Sequence, residues 1–367
     1  MKVLIANLIL YTNETPQIKK VDSIKDTMIY NLCLAFKNEG HDITLAASDL
    51  YKPIKDENYP FKIVWLKTTH TILFPPNVFP CCPDIKKLIK YSNFDLIISS
   101  EVFSLCSFFI AQTKAKNLII WQELAKHNNI FKKLASKIWY NLISRIMFKD
   151  TLIVPRSKNA KAFISHYLDN ISDEIIDHGI NTKKFIAHPD KNNQFSICSQ
   201  LINRKQIDKS IEVFAKYLKK YDNTTKLFII GDGDQKNNLQ ALTKRLKIEN
   251  NVIFTGKLTH DDLISILGNS IAMLVYTNKD NNMVSIVESI ALATPIITTD
   301  VPYNSSYIKS NKLGIVKNDW NEDDLYEISS KNNKYVNNCL EYRKTLPCEY
   351  KVKQFVNIYN QYIKNIQ

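Results

Sequence analysis

A chain of 367 residues with 45% hydrophobic and 23% charged side chains is globular, with material for two cores of about 150–200 residues each, and is not a disordered tail. Its 49 basic and 36 acidic residues leave a net charge of +13, which suits anionic partners: a nucleotide diphosphate, an anionic membrane surface or nucleic acid. Lysine is spread along the whole chain without a recognition motif, so nucleic acid is set aside; no apolar run reaches the ~18–20 residues that cross a bilayer.

From Met1 the chain runs straight into the apolar segment VLIANLIL, which lacks a signal-type cleavage site. The first strand is expected at residues 3–8, followed by strands at 43–47, 62–66, 96–99, 118–121 and 152–155. Amphipathic stretches such as 23–38 and 131–148 lie between them. Unbroken Val/Ile/Leu strands separated by helices indicate parallel sheets covered on both faces. The seven cysteines, Cys33 to Cys348, are odd in number and have no metal-ligand spacing. They read as free thiols of a reducing cytosol, so the protein is expected in the cytoplasm, soluble or at most peripheral at the inner face of the cell membrane.

Residues 181–193, NTKKFIAHPDKNN, are polar, contain Pro189 and read as a linker. Alternation then restarts, with strands expected at 195–199, 226–230, 252–255, 272–276 and 295–298, and helices at 207–220, 235–247, 261–267 and 284–291. Two doubly wound Rossmann-like domains follow: residues 1–182, then 194–345, with a cleft between them facing the carboxyl ends of both sheets. A last helix over 350–366, in a terminal segment 346–367, is expected to pack back toward the first domain.

The segment VYTNKDNNMVSIVESIALATPIITTD carries Asp280 in a loop and Glu288 in the helix that follows. A helical side chain leans toward the N-terminus, so Glu288 points back at that loop. Free N–H groups of Met283 and Val284 at the helix start suit a phosphate. Carboxylates beside a phosphate bind hydroxyls, and a ribose and a hexose flanking a diphosphate supply them. The alternative is an Asp satisfying a helix end and a Glu on a solvated face.

The second half, with SICSQLINRKQI, KLFIIGDGDQ, NVIFTGKL, Asp280-x7-Glu288 and ALATPIIT in order, resembles the nucleotide-binding domain of family 4 retaining glycosyltransferases of the GT-B fold. EGHDITLAA, FDLIISSE and IIDHGINTKKF extend the resemblance over nearly the full chain. It implies that Lys205 neutralises the diphosphate, that Glu288 takes the ribose hydroxyls and that Asp280 meets the transferred sugar. Gly231 and Gly256, in the GDG turn and the V-x-F-x-G strand, fall to the donor site. The family's strand-end Arg is Gln200 here, with Arg204 as a substitute cation if helix phase lets it reach. Asp280 stands where the family has Glu, and Asn281-Asn282-Met283 replaces its Gly-Phe-Gly. Ser285 either donates to phosphate or caps the helix.

In the first half Gln122 and Glu123 stand where the family often has a His, with His127 beyond. Glu123 either orients an acceptor hydroxyl or serves as a helix-start acid. Asp232-Gly233-Asp234 spells the metal motif of another glycosyltransferase fold but sits where the family has a turn; with no metal-spaced cluster, catalysis without a metal or other cofactor is expected. His178 reads as a loop residue. Residues 126–149 place Phe131, Leu134, Ile138, Leu142 and Ile146 among Lys132, Lys133, Lys137, Arg145 and Lys149, a stripe that serves either as a core face or as an anionic-membrane contact.

The whole reads as a transferase passing a sugar from a nucleotide diphosphate-sugar, most simply a UDP-sugar, to a glycan or lipid-linked acceptor in bacterial surface polysaccharide synthesis. Two alternatives stand beside it: a nucleotide-sugar 2-epimerase on the same fold, and an inactive glycosyltransferase-like subunit.

Overall fold

The computed structural model describes residues 1–11, 18–128, 133–280 and 282–363. It divides into two compact units: residues 1–180 with 348–367, and residues 181–347.

The first unit holds six parallel strands: β1 (Lys2–Ala6), β2 (Asp42–Ser48), β3 (Lys62–Leu66), β4 (Leu96–Ser100), β5 (Leu118–Gln122) and β6 (Leu152–Pro155). They lie in the order β3-β2-β1-β4-β5-β6. Along β1, Val3 and Ile5 enter one core while Leu4 and Ala6 enter the other. A strand buried on both faces has no reason to alternate, which is why these segments read as unbroken apolar runs. Order reverses between β1 and β4, and in open α/β sheets the carboxyl ends at such a reversal are where ligands bind.

The second unit repeats the plan with β7 (Gln194–Cys198), β8 (Lys226–Ile230), β9 (Val252–Gly256), β10 (Ala272–Val275), β11 (Ile296–Thr298) and β12 (Gly314–Val316). The order is β12-β11-β10-β7-β8-β9, all parallel, with the reversal between β7 and β10. The core under β7 and β8 includes Phe195, Phe214, Leu227 and Trp320, all essentially sealed from solvent. Both units are Rossmann-like, the two domains of the GT-B fold.

The 181–193 segment read as a linker is packed within the second unit. Lys191 Nζ donates to the carbonyls of Gly268 (2.7 Å) and Leu292 (3.3 Å), and His188 N–H to Leu292 (3.2 Å). The chain changes unit again near Pro347, and the helix Cys348–Ile358 packs on the helix Met28–Asn38. Phe355 meets the rings of Phe36 (6.2 Å) and Trp121 (5.4 Å), and Lys351 pairs with Asp177. Among the described residues no helix is long and apolar enough to cross a membrane.

Candidate functional site

The reversal in the second sheet brings the ends of β7 and β10 side by side, and the chemistry-bearing residues of this unit gather there. Beyond β7 the chain turns through Asn203–Lys205, putting Arg204 and Lys205 against the loop that leaves β10. Thr277 holds that loop, its hydroxyl donating to the carbonyl of Arg204 at 3.0 Å. Cys198, Ser199, Lys205, Val275, Tyr276 and Met283 line the resulting recess.

Lys205 and Asp280, assigned from the sequence to different parts of a ligand, form an ion pair at 2.5 Å, with only 10% and 13% of their side chains exposed. Arg204 does reach the same place: its guanidinium lies 3.3 Å from the same carboxylate oxygen and 3.0 Å from the Lys279 carbonyl. Two cations therefore converge on one shortened carboxylate. Gln200 is exposed on the turn after β7.

Glu288 lies in the second turn of the helix Val284–Ala291, and burial alone raises its carboxyl from an ordinary 4.5 to about 7. Its field reaches Cys198, whose thiol burial pushes up to about 12, with Glu288 adding to the push and Lys205 opposing it. Cys198 and Lys205 both line the recess. The Asn282 amide nitrogen is buried without a partner at the lead-in to the same helix. A buried donor lacking a partner is costly unless something else supplies one.

At the helix start the structure corrects one expectation. The N–H of Met283 is not open to a phosphate, because the side-chain oxygen of Asn304 accepts it at 2.7 Å. Asn304 sits 21 residues away and also donates to the Met283 carbonyl and to Tyr307, so local sequence carries no hint of it. No side chain caps this helix, which leaves Val284 and Ser285 to present their N–H groups at its positive end. Asn281 lies outside the described residues.

Gly231 (φ +137°) is needed for close approach: a Cβ there would stand 1.9 Å from the Ser199 carbonyl oxygen. Its N–H donates to the carbonyl of Gly256 at 2.9 Å, so both glycines serve backbone packing where β8 and β9 end. Asp232-Gly233-Asp234 forms the turn that holds Leu201, whose N–H donates to the Asp232 carbonyl at 3.0 Å.

In the first unit, Gln122 cannot position an acceptor as expected. It is fully buried; its oxygen accepts from Val102 N–H at 2.9 Å and its nitrogen donates to the Leu124 carbonyl at 2.8 Å. Glu123 is committed as well, to Arg156 at 2.9 Å and His178 at 3.5 Å. Burial resists its ionisation, but His178 and Arg156 overcome that and hold the carboxyl at about 2.

Two residues here escaped the sequence reading. Glu101, at φ +68°, follows β4, and its two carboxylate oxygens accept from Glu123 N–H (2.9 Å) and Leu124 N–H (3.2 Å). Burial raises its carboxyl to about 7, Arg156 opposing and Glu123 reinforcing. Arg156, after β6, lies over the Trp121 ring at 3.6 Å and donates to Ser100 at 3.3 Å. Charged residues at the carboxyl ends of parallel strands were the available signal. Among the described residues no group of His, Cys, Asp and Glu side chains is arranged to hold a metal ion.

Residues 180–332 match the family model described as Glycosyl transferases group 1. Curated relatives include the alpha-monoglucosyldiacylglycerol synthase of Streptococcus pneumoniae, 24% identical over 50% of this chain and 49% of that protein. The O-antigen biosynthesis glycosyltransferase WclY of Escherichia coli is 28% identical over 60% of this chain and 64% of that protein. The matches thus span about half and just under two thirds of those relatives' length. Among solved structures, Anabaena HepE in complex with UDP superposes with a TM-score of 0.68 at 12% identity, covering 98% of this chain and 100% of that one. The sucrose-phosphate synthase of Thermosynechococcus elongatus gives 0.70 at 13% identity, covering 99% of each chain.

Proposed function

We propose, from a chain whose second unit matches the group 1 glycosyl transferases, that it transfers a sugar from a UDP-sugar to a glycan or lipid-linked hydroxyl with retention of configuration. The observation that carries this reading is the recess at the β7–β10 reversal. Lys205 and Met283 line it, Arg204 and Lys205 meet on one carboxylate oxygen of Asp280, and the helix Val284–Ala291, which starts there without a side-chain cap, carries Glu288, whose carboxyl burial raises to about 7. In this reading Glu288 accepts from the ribose hydroxyls. Lys205, Arg204 and the N–H groups of Val284 and Ser285 take the diphosphate, and Asp280 turns to the transferred sugar. UDP in the structure of HepE supports uridine as the base, and the names of the curated relatives support a surface glycan or glycolipid product. The seven free thiols support a reducing compartment. No protein nucleophile is assigned; the departing diphosphate itself helps take the acceptor proton.

A second reading, a chain that binds the donor without turning it over, is favoured by the Lys205–Asp280 pair, which neutralises the cation the diphosphate needs. Incubation with a panel of nucleotide-sugars and candidate acceptors, following free nucleotide diphosphate, separates the two. Acceptor-dependent release supports the transferase, and binding without release supports the second reading. Isomerised sugar without release means a 2-epimerase.

The state of Glu288 gives a further expectation. A carboxyl held above its ordinary 4.5 by the fold costs stability wherever the unfolded chain ionises and the folded one must follow. The cost sets in as pH rises through 4.5 and is complete above 7. Glu288→Gln should therefore stabilise the protein by about 2–3 kcal/mol at pH 8 and by almost nothing near pH 4.5, while weakening donor binding. Urea unfolding at the two pH values checks the sign; equal gains at both would remove burial of the charge as the cause.

A further inference from the structure

Phe131, the first apolar residue of the stripe, lies outside the described residues; from there the helical run of residues 134–147 turns its aliphatic stripe to solvent. Leu134, Ile138, Leu142 and Ile146 are between 50% and 69% exposed. The core is served instead by Trp139, Tyr140 and Phe148 on the opposite side. Four-residue steps overshoot a full turn of an α-helix by about 40°, so such a stripe spirals off its face. Residues Trp139–Ile143 form a π turn, Ser144 N–H donating to the Trp139 carbonyl. This wider turn winds part of that drift back and keeps the four side chains in one row.

A column of exposed polar residues runs beside the row: Lys133, Lys137, Asn141, Arg145 and Lys149. Between residues 133 and 150 the chain holds four cations and one acid, Asp150. A second apolar patch is tied to the same helix. Ile72 and Leu73 are exposed in a loop closed by Thr69 N–H donating to the Cys81 carbonyl at 2.9 Å. Phe74 in that loop meets Phe79 at 6.1 Å, and Phe79 meets the inner face of Trp139 at 5.4 Å.

We propose that this face docks on an anionic lipid surface, the aliphatic row entering the interface and the basic column meeting the headgroups. Charge decides the occupant. A second copy of the chain packed symmetrically on the row would set cation column against cation column. An anionic bilayer matches both the apolar row and the positive flank, and the Ile72–Leu73 loop adds the second contact that lasting peripheral binding needs. The inference stands apart from the glycosyl transfer reading, since none of these residues belongs to the recess in the second unit.

The test is co-sedimentation of the full chain with vesicles of phosphatidylcholine alone and of phosphatidylcholine with phosphatidylglycerol. The chain should sediment with the anionic vesicles and be released as salt rises. Leu134→Ser/Ile138→Ser/Leu142→Ser/Ile146→Ser should lower partition roughly tenfold or more with unchanged circular dichroism and melting. Lys137→Glu/Arg145→Glu should erase the preference for anionic over neutral vesicles. No binding by the wild-type chain, or equal binding by the serine variant, overturns the proposal. So does a serine variant whose only change, in sedimentation velocity, is the loss of a self-associated form.

Discussion

Asp280→Ala is expected to bind UDP about tenfold more tightly than the wild-type chain while transferring sugar at least about a hundredfold more slowly. The two signs come from one carboxylate. Without a donor, Asp280 neutralises Lys205 at 2.5 Å and draws in Arg204 at 3.3 Å, so a diphosphate must displace it before either cation is available. Alanine removes that partner from Lys205, only 10% exposed, and from the more open Arg204, a state that favours any anion able to enter. A tenfold gain corresponds to about 1.4 kcal/mol, a modest part of what a buried pair represents. The same substitution removes the group proposed to hold the transferred sugar. Titration calorimetry with UDP and kinetics of UDP release measure the two halves separately. Weaker UDP binding would show that Asp280 helps hold the nucleotide, and unchanged turnover would take it out of the reaction.

Removing Arg156 should be the most damaging single change in the first unit. Its guanidinium is 7% exposed, pairs with Glu123 at 2.9 Å and lies 3.6 Å over Trp121. Arg156→Ala removes the guanidinium that offsets both Glu101 and Glu123, and breaking one side of a buried ionic cluster costs about 3–5 kcal/mol. Sign follows from Glu101, whose carboxyl already sits at about 7 because burial outweighs Arg156. Without Arg156 it rises further. The wild-type chain already bears the cost that develops between pH 4.5 and about 7, so the added deficit opens as pH rises through about 7 and is larger at pH 8 than at pH 5. Urea unfolding at both values should show this, and adding Glu123→Gln should recover part of the loss. A deficit independent of pH would point to lost packing on Trp121 instead.

The strands were legible because their physics is one-dimensional: buried on both faces, they spell themselves as apolar runs. β12 escaped because Gly314–Val316 is three residues long and only partly buried, too short to stand out. At the site, Lys205, Asp280 and Glu288 could be assembled from motif order alone. Their pairing could not, since it depends on how the Asn203–Lys205 turn meets a loop 75 residues later. The Met283 N–H was lost to Asn304 for the same reason, and Gln122 to Val102 and Leu124. Amphipathic periodicity found the 134–146 row but not its direction. Only the packing of Trp139, Tyr140 and Phe148 shows that the core was already filled from the other side.

The helix Cys348–Ile358 returns to the first unit after residues 181–347 have built the second. Phe36, Trp121 and Asp177 have no covering helix until that segment exists. On the ribosome the order of completion is therefore inverted. The second unit is one continuous stretch and can close as soon as it emerges, whereas the first, though begun earlier, waits for its final layer until the whole of the second has been made. Until then it carries an uncovered apolar seam, so the first unit, not the second, is where a slow or interrupted synthesis leaves the protein open to aggregation.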